Sequence, residues 1–305
     1  MSKVSIILPS YNHNSFLKDR LDSIVNQTFK DWELIIIDDK SSDGSIETLK
    51  AFYQKYTNKI SNFIIHTENS GSGYKSWKKG IELAQSEYIW IAETDDYSDV
   101  SFLEEQVKIL DTYPKAALTF CSSNYVDANK TFLYNTNKRT IDLSVSENKS
   151  KLFKGEVYLN KAPFDTYITN GSSVVFRKPI IDIPNLIFEN KQSSDVFLWT
   201  FLIQNSSFVF LNKKLNFFRR HEGSTTTRLS SLRKLDIFQE NIKYLHFYKQ
   251  KNKDHLLLKK YFQQYVWINK KEIFNTKIFN FNLALKYYLF LLPNICIQLI
   301  NKIEK

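Results

Sequence analysis

The sequence predicts an α/β protein with a Rossmann-like, mostly parallel central sheet flanked by helices, followed by a helical C-terminal extension. Over the first 120 residues, short apolar runs alternate with amphipathic helical patterns. This alternation is typical of βαβ units. Residues 229–300 have the pattern of two or three further helices. With 43% hydrophobic and 24% charged residues, the 305-residue chain is globular and long enough to bury a sizeable core.

Four apolar runs predict four strands, and a helical pattern follows each of them. The strands are Val4–Leu8, Trp32–Ile37, Phe63–Ile65 and Tyr88–Ala92. Apolar residues recurring every three or four positions predict helices over about 16–25 and 45–56, and a third helix up to about residue 85. The pattern Ser101-Phe-Leu-Glu104 predicts a capping box at the start of a fourth helix.

Three polar clusters follow predicted strands: Pro9–Asn14, Asp38–Ser45 and Glu93–Asp96. Ligands of parallel α/β sheets bind at the carboxyl ends of the strands, so we expect these clusters to meet. The last cluster places three carboxylates within four residues, which suits Mg²⁺ or Mn²⁺. A carboxylate of the second cluster can accept a hydrogen bond from a nucleobase. The alternative for both clusters is a turn that caps the next helix.

Other features narrow the class of protein. The Gly-rich loops GxGxxG and GxxxxGK[ST] are missing, so neither a dinucleotide loop nor a Walker loop is expected. Cys121 and Cys296 predict no disulfide and no cysteine-based metal site. No signal peptide is expected, and Lys286 and Pro293 interrupt the most apolar stretch, 283–300, so an ordinary transmembrane helix is not predicted there. These features favour a reduced, cytoplasmic chain.

Six ordered segments resemble family-2 glycosyltransferases, which are inverting enzymes with the A-type glycosyltransferase fold. The segments are VSIILPSYN, WELIIIDDKSSDGS, SEYIWIAETDDY, TNGSSVVFRK, SSDVFLW and LNFFRRHEGSTTT. The resemblance implies a catalytic domain over 1–227, with a nucleotide-sugar half at about 1–120 and an acceptor half at about 121–227. The extension, 228–305, follows as a basic, aromatic-rich helical segment.

The resemblance also implies roles for individual residues. Asp39 stands where the family has the acidic residue that reads the base, and Asp195 where it has the catalytic aspartate. A divalent cation, Mn²⁺ or Mg²⁺, is expected to bind Asp95 and His221. The residues expected to bind the nucleotide sugar are Pro9, Tyr11, Asn12, Asp39, Gly71, Glu93, Thr94, Asp95 and Arg220.

Two segments depart from the family pattern. Glu93 occupies the first position of the family's Asp-X-Asp element, although a longer carboxylate can still reach a ribose hydroxyl or a bound water. Lys78 and Lys79 lie where many members carry an Arg-Asn pair, and we regard them only as candidate contacts to a diphosphate. The segment beginning at Asn170 precedes an apolar Val-Val-Phe run, and it is expected to face the acceptor pocket or to form a plain turn before a strand.

The expected activity follows from this chemistry. One base and no nucleophile implies a single displacement, with inversion at the anomeric carbon. We therefore expect a metal-dependent glycosyltransferase of the hexosyltransferase class. It would move a sugar from a nucleotide-sugar donor, a UDP-sugar by default, to a saccharide or lipid-linked saccharide in cell-surface polysaccharide synthesis.

Two other functions remain as alternatives. The first is a sugar nucleotidyltransferase, but the first strand lacks the expected Gly-rich phosphate loop. The second is a non-catalytic saccharide-binding or scaffold module of a membrane complex, against which the carboxylates Asp95, Asp96 and Asp195 argue.

The positive charge of the chain is concentrated near its end. Residues 212–305 contain 19 Lys and Arg against 6 Asp and Glu, whereas residues 1–211 contain 23 against 26. Together with aromatic clusters such as 287–292, this charge predicts peripheral binding to an anionic membrane surface, on the inner face of the cell membrane. The alternatives are a solvated basic face and helices that pack on the catalytic domain or on a second copy of the chain, as a homo-oligomer. Nucleic acid is not an expected partner, because no motif for it is recognisable.

Overall fold

The computed structural model describes residues 2–163 and 165–221, together with residues 236, 237, 240, 241, 243, 244, 247 and 248. The chain forms two compact units, Met1–Thr227 and Arg228–Lys305. The eight described positions of the second unit are helical. The stretch 283–300, Cys296 and the aromatic cluster 287–292 lie outside the described residues. Among the helices that are described, none is long and apolar enough to cross a membrane.

Strands and helices alternate through the first half of the first unit, as the sequence predicts. Each apolar run forms a strand and each helical pattern forms a helix, with boundaries that differ from the predicted ones by a few residues at most. The elements are β1 (Val4–Ser10), α1 (Asn14–Val25), β2 (Trp32–Asp38), α2 (Ser45–Lys55), β3 (Ile60–Ile65), α3 (Gly73–Leu83), β4 (Tyr88–Ile91), β5 (Tyr97–Ser98) and α4 (Phe102–Thr112).

The second half of this unit is less regular. Its polar sequence between 122 and 160 gives no clear periodicity, and the elements that form within that stretch are short. The elements of this half are β6 (Ala116–Val126), β7 (Phe132–Asn135), α5 (Asn137–Thr140), β8 (Ser150–Lys154), α6 (Gly155–Leu159), β9 (Val174–Arg177), α7 (Ser194–Ile203) and β10 (Ser207–Arg219). Short 3₁₀ helices cover Ile141–Leu143, Gly171–Ser173 and Asn185–Glu189.

In the described part of the chain, the strands form one sheet with the order β3-β2-β1-β4-β9-β6-β10-β5, and β7 and β8 pair with β6 and β10. The first four strands in this order are parallel, and β6 is parallel to β10. β9 runs antiparallel to both β4 and β6 and joins the two parallel parts. The apolar run Val-Val-Phe at the start of β9 allowed a strand here, but the sequence did not indicate its antiparallel direction or its place in the sheet, because the alternation of strands and helices stops after α4.

The centre of the sheet explains why its strands are so apolar. Every residue of β1 is buried, because β1 lies between two parallel strands in a sheet whose faces are covered by helices. Its register pairs Ser10 with Asp38 and Ile7 with Ile91. The loops after β1, β2 and β4 therefore leave the sheet at the same edge.

The predicted capping box at α4 does not form. Ser101 lies at the helix N-cap but makes no side-chain cap hydrogen bond. Its hydroxyl instead donates to Asp99 Oδ1 at 2.6 Å, and Glu104 accepts from the hydroxyl of Thr28 at 2.7 Å. Asp99, just before the helix, thus takes the place of the helix backbone as the partner of Ser101, and Thr28 is the partner of Glu104. The predicted start of the helix is correct, and its predicted cap is wrong.

Candidate active site

The loop after β4, Glu93–Asp96, lies at the centre of the site, and we call it the acidic loop. Its last residue, Asp96, is fully buried. The backbone N–H of Arg219 donates to Asp96 Oδ1 at 3.0 Å, and the Asn170 amide donates to Asp96 Oδ2 at 2.8 Å. Burial and the neighbouring charge of Asp95 raise the pKa of Asp96 to about 6. Asp96 therefore ties the loop to the end of β10 and to the turn before β9.

Asp95 faces the other way and meets two histidines. The Nε2 atom of His221 lies 3.2 Å from Asp95 Oδ2. The His13 ring packs edge-on against the His221 ring, with centroids 5.6 Å apart. One candidate ligand atom from each of the three side chains lies within 4.8 Å of the other two. Such a set of one carboxylate and two imidazoles can hold a divalent cation.

The charges within this cluster favour an ionised aspartate. Burial acts to raise the pKa of Asp95, but the hydrogen bond with His221 and the charges of His13 and His221 outweigh it and hold this pKa below its ordinary value. Burial lowers the pKa of His13. Both shifts favour the protonation states in which these groups bind a metal.

His13 is the residue that the sequence interpretation missed. It is the residue before α1 and belongs to the Pro9–Asn14 cluster, which was expected to meet the acidic loop. Its Nδ1 atom lies 2.8 Å from the hydroxyl of Thr94. The available signal in the sequence was a histidine in the polar cluster that follows a central strand. The resembling segment VSIILPSYN ends one residue before His13, so the resemblance implied no role for it.

Glu93, at the start of the loop, contacts protein groups that hold it in place. Its Oε1 atom accepts a hydrogen bond from the indole N–H of Trp77 at 2.7 Å. Burial first, and then repulsion from Asp95 and Asp96, raise the pKa of Glu93 to about 8. The carboxyl group is thus directed towards α3.

A buried arginine supports the loop from beneath. Arg20 of α1 donates to the carbonyl oxygen of Glu93 at 2.7 Å and to the hydroxyl of Ser172 at 3.1 Å. The same hydroxyl accepts from the backbone N–H of Glu93 at 3.1 Å. Burial lowers the pKa of Arg20 to about 10, so it stays charged at neutral pH. Asn170, Ser172 and Ser173 are all buried here, which means that this segment supports the loop and does not line an open pocket.

The residues expected to bind the nucleotide lie on the neighbouring loops. Pro9 is buried within β1, whereas Tyr11 is 46% exposed. Asn12 has a positive φ of 51°. Its N–H donates to the hydroxyl of Ser41 and its side-chain oxygen accepts from the N–H of Ser42, at 2.9 and 2.7 Å. The loops after β1 and β2 are therefore joined as one surface.

Asp39 is buried at the end of β2 and is bound by the loop that contains Gly71. Its carboxylate accepts hydrogen bonds from the backbone N–H and hydroxyl of Ser70, at 2.9 and 2.8 Å, and lies 3.3 Å from His66. Gly71 adopts a positive φ of 76°, and a side chain there would meet no atom within 4 Å. A nucleobase that hydrogen-bonds to Asp39 would share this carboxylate with Ser70.

Asp195 lies in the first turn of α7, where an acidic side chain is favourable to the helix dipole. The hydroxyl of Tyr74 lies 3.4 Å from Asp195 Oδ1 and 3.2 Å from the carbonyl of Gln192. The Tyr74 ring packs against Trp77, with centroids 5.2 Å apart. Because Trp77 also holds Glu93, a continuous set of contacts connects Asp195 with the acidic loop.

Two basic residues considered as contacts to the donor, Arg220 and Lys78, have different surroundings. Arg220 precedes His221, and its guanidinium lies 5.9 Å from the ring centroids of Tyr125 and Phe218. Lys78 pairs with Glu82 one turn along α3, at 3.5 Å. The structure thus places Arg220 beside a metal-ligand candidate, whereas Lys78 has a partner within its own helix.

Comparison with known proteins identifies the family. The sequence model of the family described as "Glycosyl transferase family 2" matches residues 5–183, more than half of the chain. A poly(ribitol-phosphate) beta-glucosyltransferase of Bacillus spizizenii is 40% identical over 97 residues, which are 31% of this chain and 15% of that enzyme. An uncharacterized glycosyltransferase of Methanocaldococcus jannaschii, MJ1057, is 25% identical and covers 99% of this chain and 93% of its own length.

Solved structures show the same fold. Staphylococcus aureus TarS matches with a TM-score of 0.60 and 17% identity, covering 90% of this chain and 44% of that one. The mannosyltransferase PcManGT of Pyrobaculum calidifontis, in complex with GDP-Man and Mn²⁺, matches with a TM-score of 0.58 and 14% identity, covering 89% of this chain and 73% of that one. These similarities agree with the A-type fold expected from the sequence. The chain belongs to glycosyl transferase family 2.

Proposed function

We propose that this chain is a metal-dependent, inverting glycosyltransferase that moves a sugar from a nucleotide-sugar donor to a saccharide or lipid-linked saccharide acceptor in cell-surface polysaccharide synthesis. The observation that carries the proposal is the meeting of Asp95, His13 and His221 at the carboxyl edge of the sheet. Family membership supports the reaction class. TarS has been solved with UDP and with UDP-GlcNAc, which supports a uridine donor.

The donor would lie across the loops after β1, β2 and β4. Tyr11 is exposed there for contact with the base or ribose, and Asp39 would accept a hydrogen bond from the base. Glu93, Thr94 and Arg220 adjoin the position of the diphosphate in this proposal. A divalent cation, Mn²⁺ or Mg²⁺, held by Asp95 and His221 would neutralise charge on the departing diphosphate.

Asp195 would act as the general base. It would take the proton from the acceptor hydroxyl, whose oxygen forms the new bond to the anomeric carbon as the bond to the diphosphate oxygen breaks. Attack from the face opposite the leaving group inverts that carbon. A positioned base contributes about 10²–10⁴-fold to such a reaction, and Tyr74 is placed to orient the carboxylate.

The test is nucleotide release by the purified full chain from a panel of nucleotide sugars, with added Mn²⁺ or Mg²⁺ and after chelation. We expect release that needs a cation and that is lost in Asp95→Ala. Asp127→Asn is a matched control, because Asp127 is a carboxylate of the exposed β6–β7 turn. Full activity of Asp95→Ala, or of the chelated protein, would contradict the metal-dependent mechanism, and a folded chain inactive with every donor would favour a non-catalytic module.

We also propose that the extension, 228–305, holds the enzyme on an anionic membrane surface. The support is its charge, because each lysine near such a surface contributes about 1 kcal/mol. Co-sedimentation of the full chain with vesicles should need anionic lipid and should fall at 1 M salt, where the Debye length is about 3 Å. A variant with Lys270 and Lys271 changed to Gln should bind less. Equal sedimentation with neutral vesicles would contradict this attachment.

A further inference from the structure

We infer that His13 is a third ligand of the cation site, and that this two-histidine, one-carboxylate site selects Mn²⁺ or a similar imidazole-binding metal over Mg²⁺. The inference rests on the proposed function for the role of the cation, and it narrows the two candidate metals to one chemical class. Its basis is the donor set itself, which consists of residues that the chain brings together from three separate segments.

The spacing of the donor atoms suits a single ion. The His221–Asp95 distance is 3.2 Å, and the widest separation within the cluster is 4.8 Å. Two ligands of one ion, each bound at about 2.1 Å, lie at most about 4.2 Å apart. Tetrahedral ligands lie closer, at about 3.4 Å. Side-chain rotations that shorten the longest separation by about 0.6–1.4 Å would therefore bring all three donors onto one cation.

The orientation of His13 is already fixed. The hydroxyl of Thr94 lies 2.8 Å from Nδ1, so a cation bound at Nε2 would leave this contact intact. Metal-bound histidines commonly have such a partner on the second ring nitrogen, because it fixes the tautomer and the ring plane. Phe16 adds an apolar wall, with its ring centroid 4.6 Å from that of His221.

The other carboxylates of the acidic loop do not provide an all-oxygen site. Both oxygens of Asp96 are hydrogen-bonded, to Asn170 and to the N–H of Arg219. Glu93 accepts from Trp77. Of the three carboxylates of this loop, Asp95 is the one that faces the histidines, so two of the three donors in the cluster are imidazoles.

This donor set determines the metal preference. Mg²⁺ prefers oxygen ligands in octahedral geometry and keeps several waters. Imidazole suits first-row transition metals, and affinity for a given nitrogen and oxygen site rises from Mn²⁺ to Cu²⁺ and falls again at Zn²⁺. Mn²⁺ accepts both carboxylate oxygen and imidazole nitrogen, so it fits the cluster better than Mg²⁺ does.

The experiment measures metal binding directly, without a sugar donor. The full chain is freed of metal by chelation, and Mn²⁺ binding is followed by electron paramagnetic resonance, with Mg²⁺ as competitor. We expect Mn²⁺ to bind at least about tenfold more tightly than Mg²⁺. His13→Gln should weaken Mn²⁺ binding by at least about tenfold, the smallest loss that follows removal of even an outer partner of a metal site.

His66→Gln is the matched control, because His66 also lies beside a carboxylate, Asp39, at 3.3 Å and is 27% exposed. Its Mn²⁺ affinity should equal that of the natural chain. If His13→Gln fails to fold, electron spin-echo modulation of Mn²⁺ on the unchanged chain counts the coordinated imidazoles. Two coordinated imidazoles support the inference, and one or none overturns it.

Two other results separate this inference from the proposed function. Equal affinity for Mg²⁺ and Mn²⁺, or an unchanged Mn²⁺ affinity in folded His13→Gln, overturns the inference even if sugar transfer is observed. Selective Mn²⁺ binding that depends on His13 supports the inference even if no donor is consumed, and the proposed activity would then be the part that fails.

Discussion

The buried guanidinium of Arg20 should determine both the stability of the acidic loop and its response to a cation. We consider Arg20→Met, which keeps a long apolar side chain beneath Trp90 but removes the charge and its donors. Arg20 donates to Glu93 and Ser172, and its guanidinium lies 5.3 Å from the Trp90 ring centroid. No carboxylate of the described residues forms an ion pair with it, so its charge acts on the loop through space.

The size of the effect follows from these contacts. Each hydrogen bond from a charged donor contributes about 1.5–3 kcal/mol, and Arg20 donates to two neutral acceptors, the Glu93 carbonyl oxygen and the Ser172 hydroxyl. We expect Arg20→Met to lower the free energy of unfolding by about 3–5 kcal/mol. That is a large share of the roughly 5–15 kcal/mol typical of native proteins.

A bound cation should restore part of this loss. Removing Arg20 takes away a buried positive charge that acts on Glu93, Asp95 and Asp96 and also removes a repulsion on the cation. At an effective dielectric constant of about 20, a divalent cation and a unit charge about 8–15 Å apart interact by about 2–4 kcal/mol. Saturating Mn²⁺ should therefore stabilise Arg20→Met by about 2–4 kcal/mol more than it stabilises the natural chain. Arg20→Lys keeps the charge and should respond to Mn²⁺ as the natural chain does.

Arg177→Met is the matched control at the opposite end of the same strands. Arg177 donates to the carbonyls of Ala116 and Leu110 at 3.1 and 2.6 Å, and its guanidinium lies 5.1 Å from the Tyr88 ring centroid. Its loss should destabilise the fold without changing the response to Mn²⁺. The assay is urea unfolding of each full-length variant with and without Mn²⁺. Equal Mn²⁺ increments in the Arg20 and Arg177 variants would refute the reasoning.

Two more predictions concern the base and the packing of α3. Asp195→Asn should lower the transfer rate at saturating donor by about 10²–10⁴-fold, with donor affinity retained. The control Glu47→Gln removes the corresponding first-turn charge from α2 and should leave the rate unchanged. Lost donor binding at an unaltered transfer rate would make Asp195 a binding residue. Gly80→Ala should destabilise the fold by about 1–3 kcal/mol in thermal unfolding, because its Cβ would lie 2.3 Å from Ile7 Cγ2. Gly73→Ala in the same helix meets no atom within 4 Å and should stabilise by up to about 1 kcal/mol; similar losses at both positions would contradict the packing argument.

The sequence by itself determined the first half of the fold. Apolar runs such as Val4–Leu8 predict strands correctly because a strand buried on both faces has a nearly continuous apolar sequence. The helices between them follow from local periodicity. The order of polar clusters after these strands was enough to predict that the Pro9–Asn14, Asp38–Ser45 and Glu93–Asp96 loops would meet, since parallel strands end at one edge. Ordered motifs along the chain also indicated the family, which the family match over residues 5–183 confirms.

Only the tertiary structure decided which side chains meet at that edge. His13 reaches Asp95 and His221 because the loop after β1 lies beside the loop after β4 in the strand order, and no local pattern contains that information. The Asn170–Ser173 segment was expected to face the acceptor pocket or to form a plain turn before a strand. It forms the turn before β9, and it supports the acidic loop because β9 inserts antiparallel between β4 and β6. The hydroxyl of Ser172 thereby comes within 3.1 Å of Arg20, 152 positions earlier in the sequence. Contacts of this range depend on strand order and register, and these are set by the packing of the whole sheet rather than by neighbouring residues.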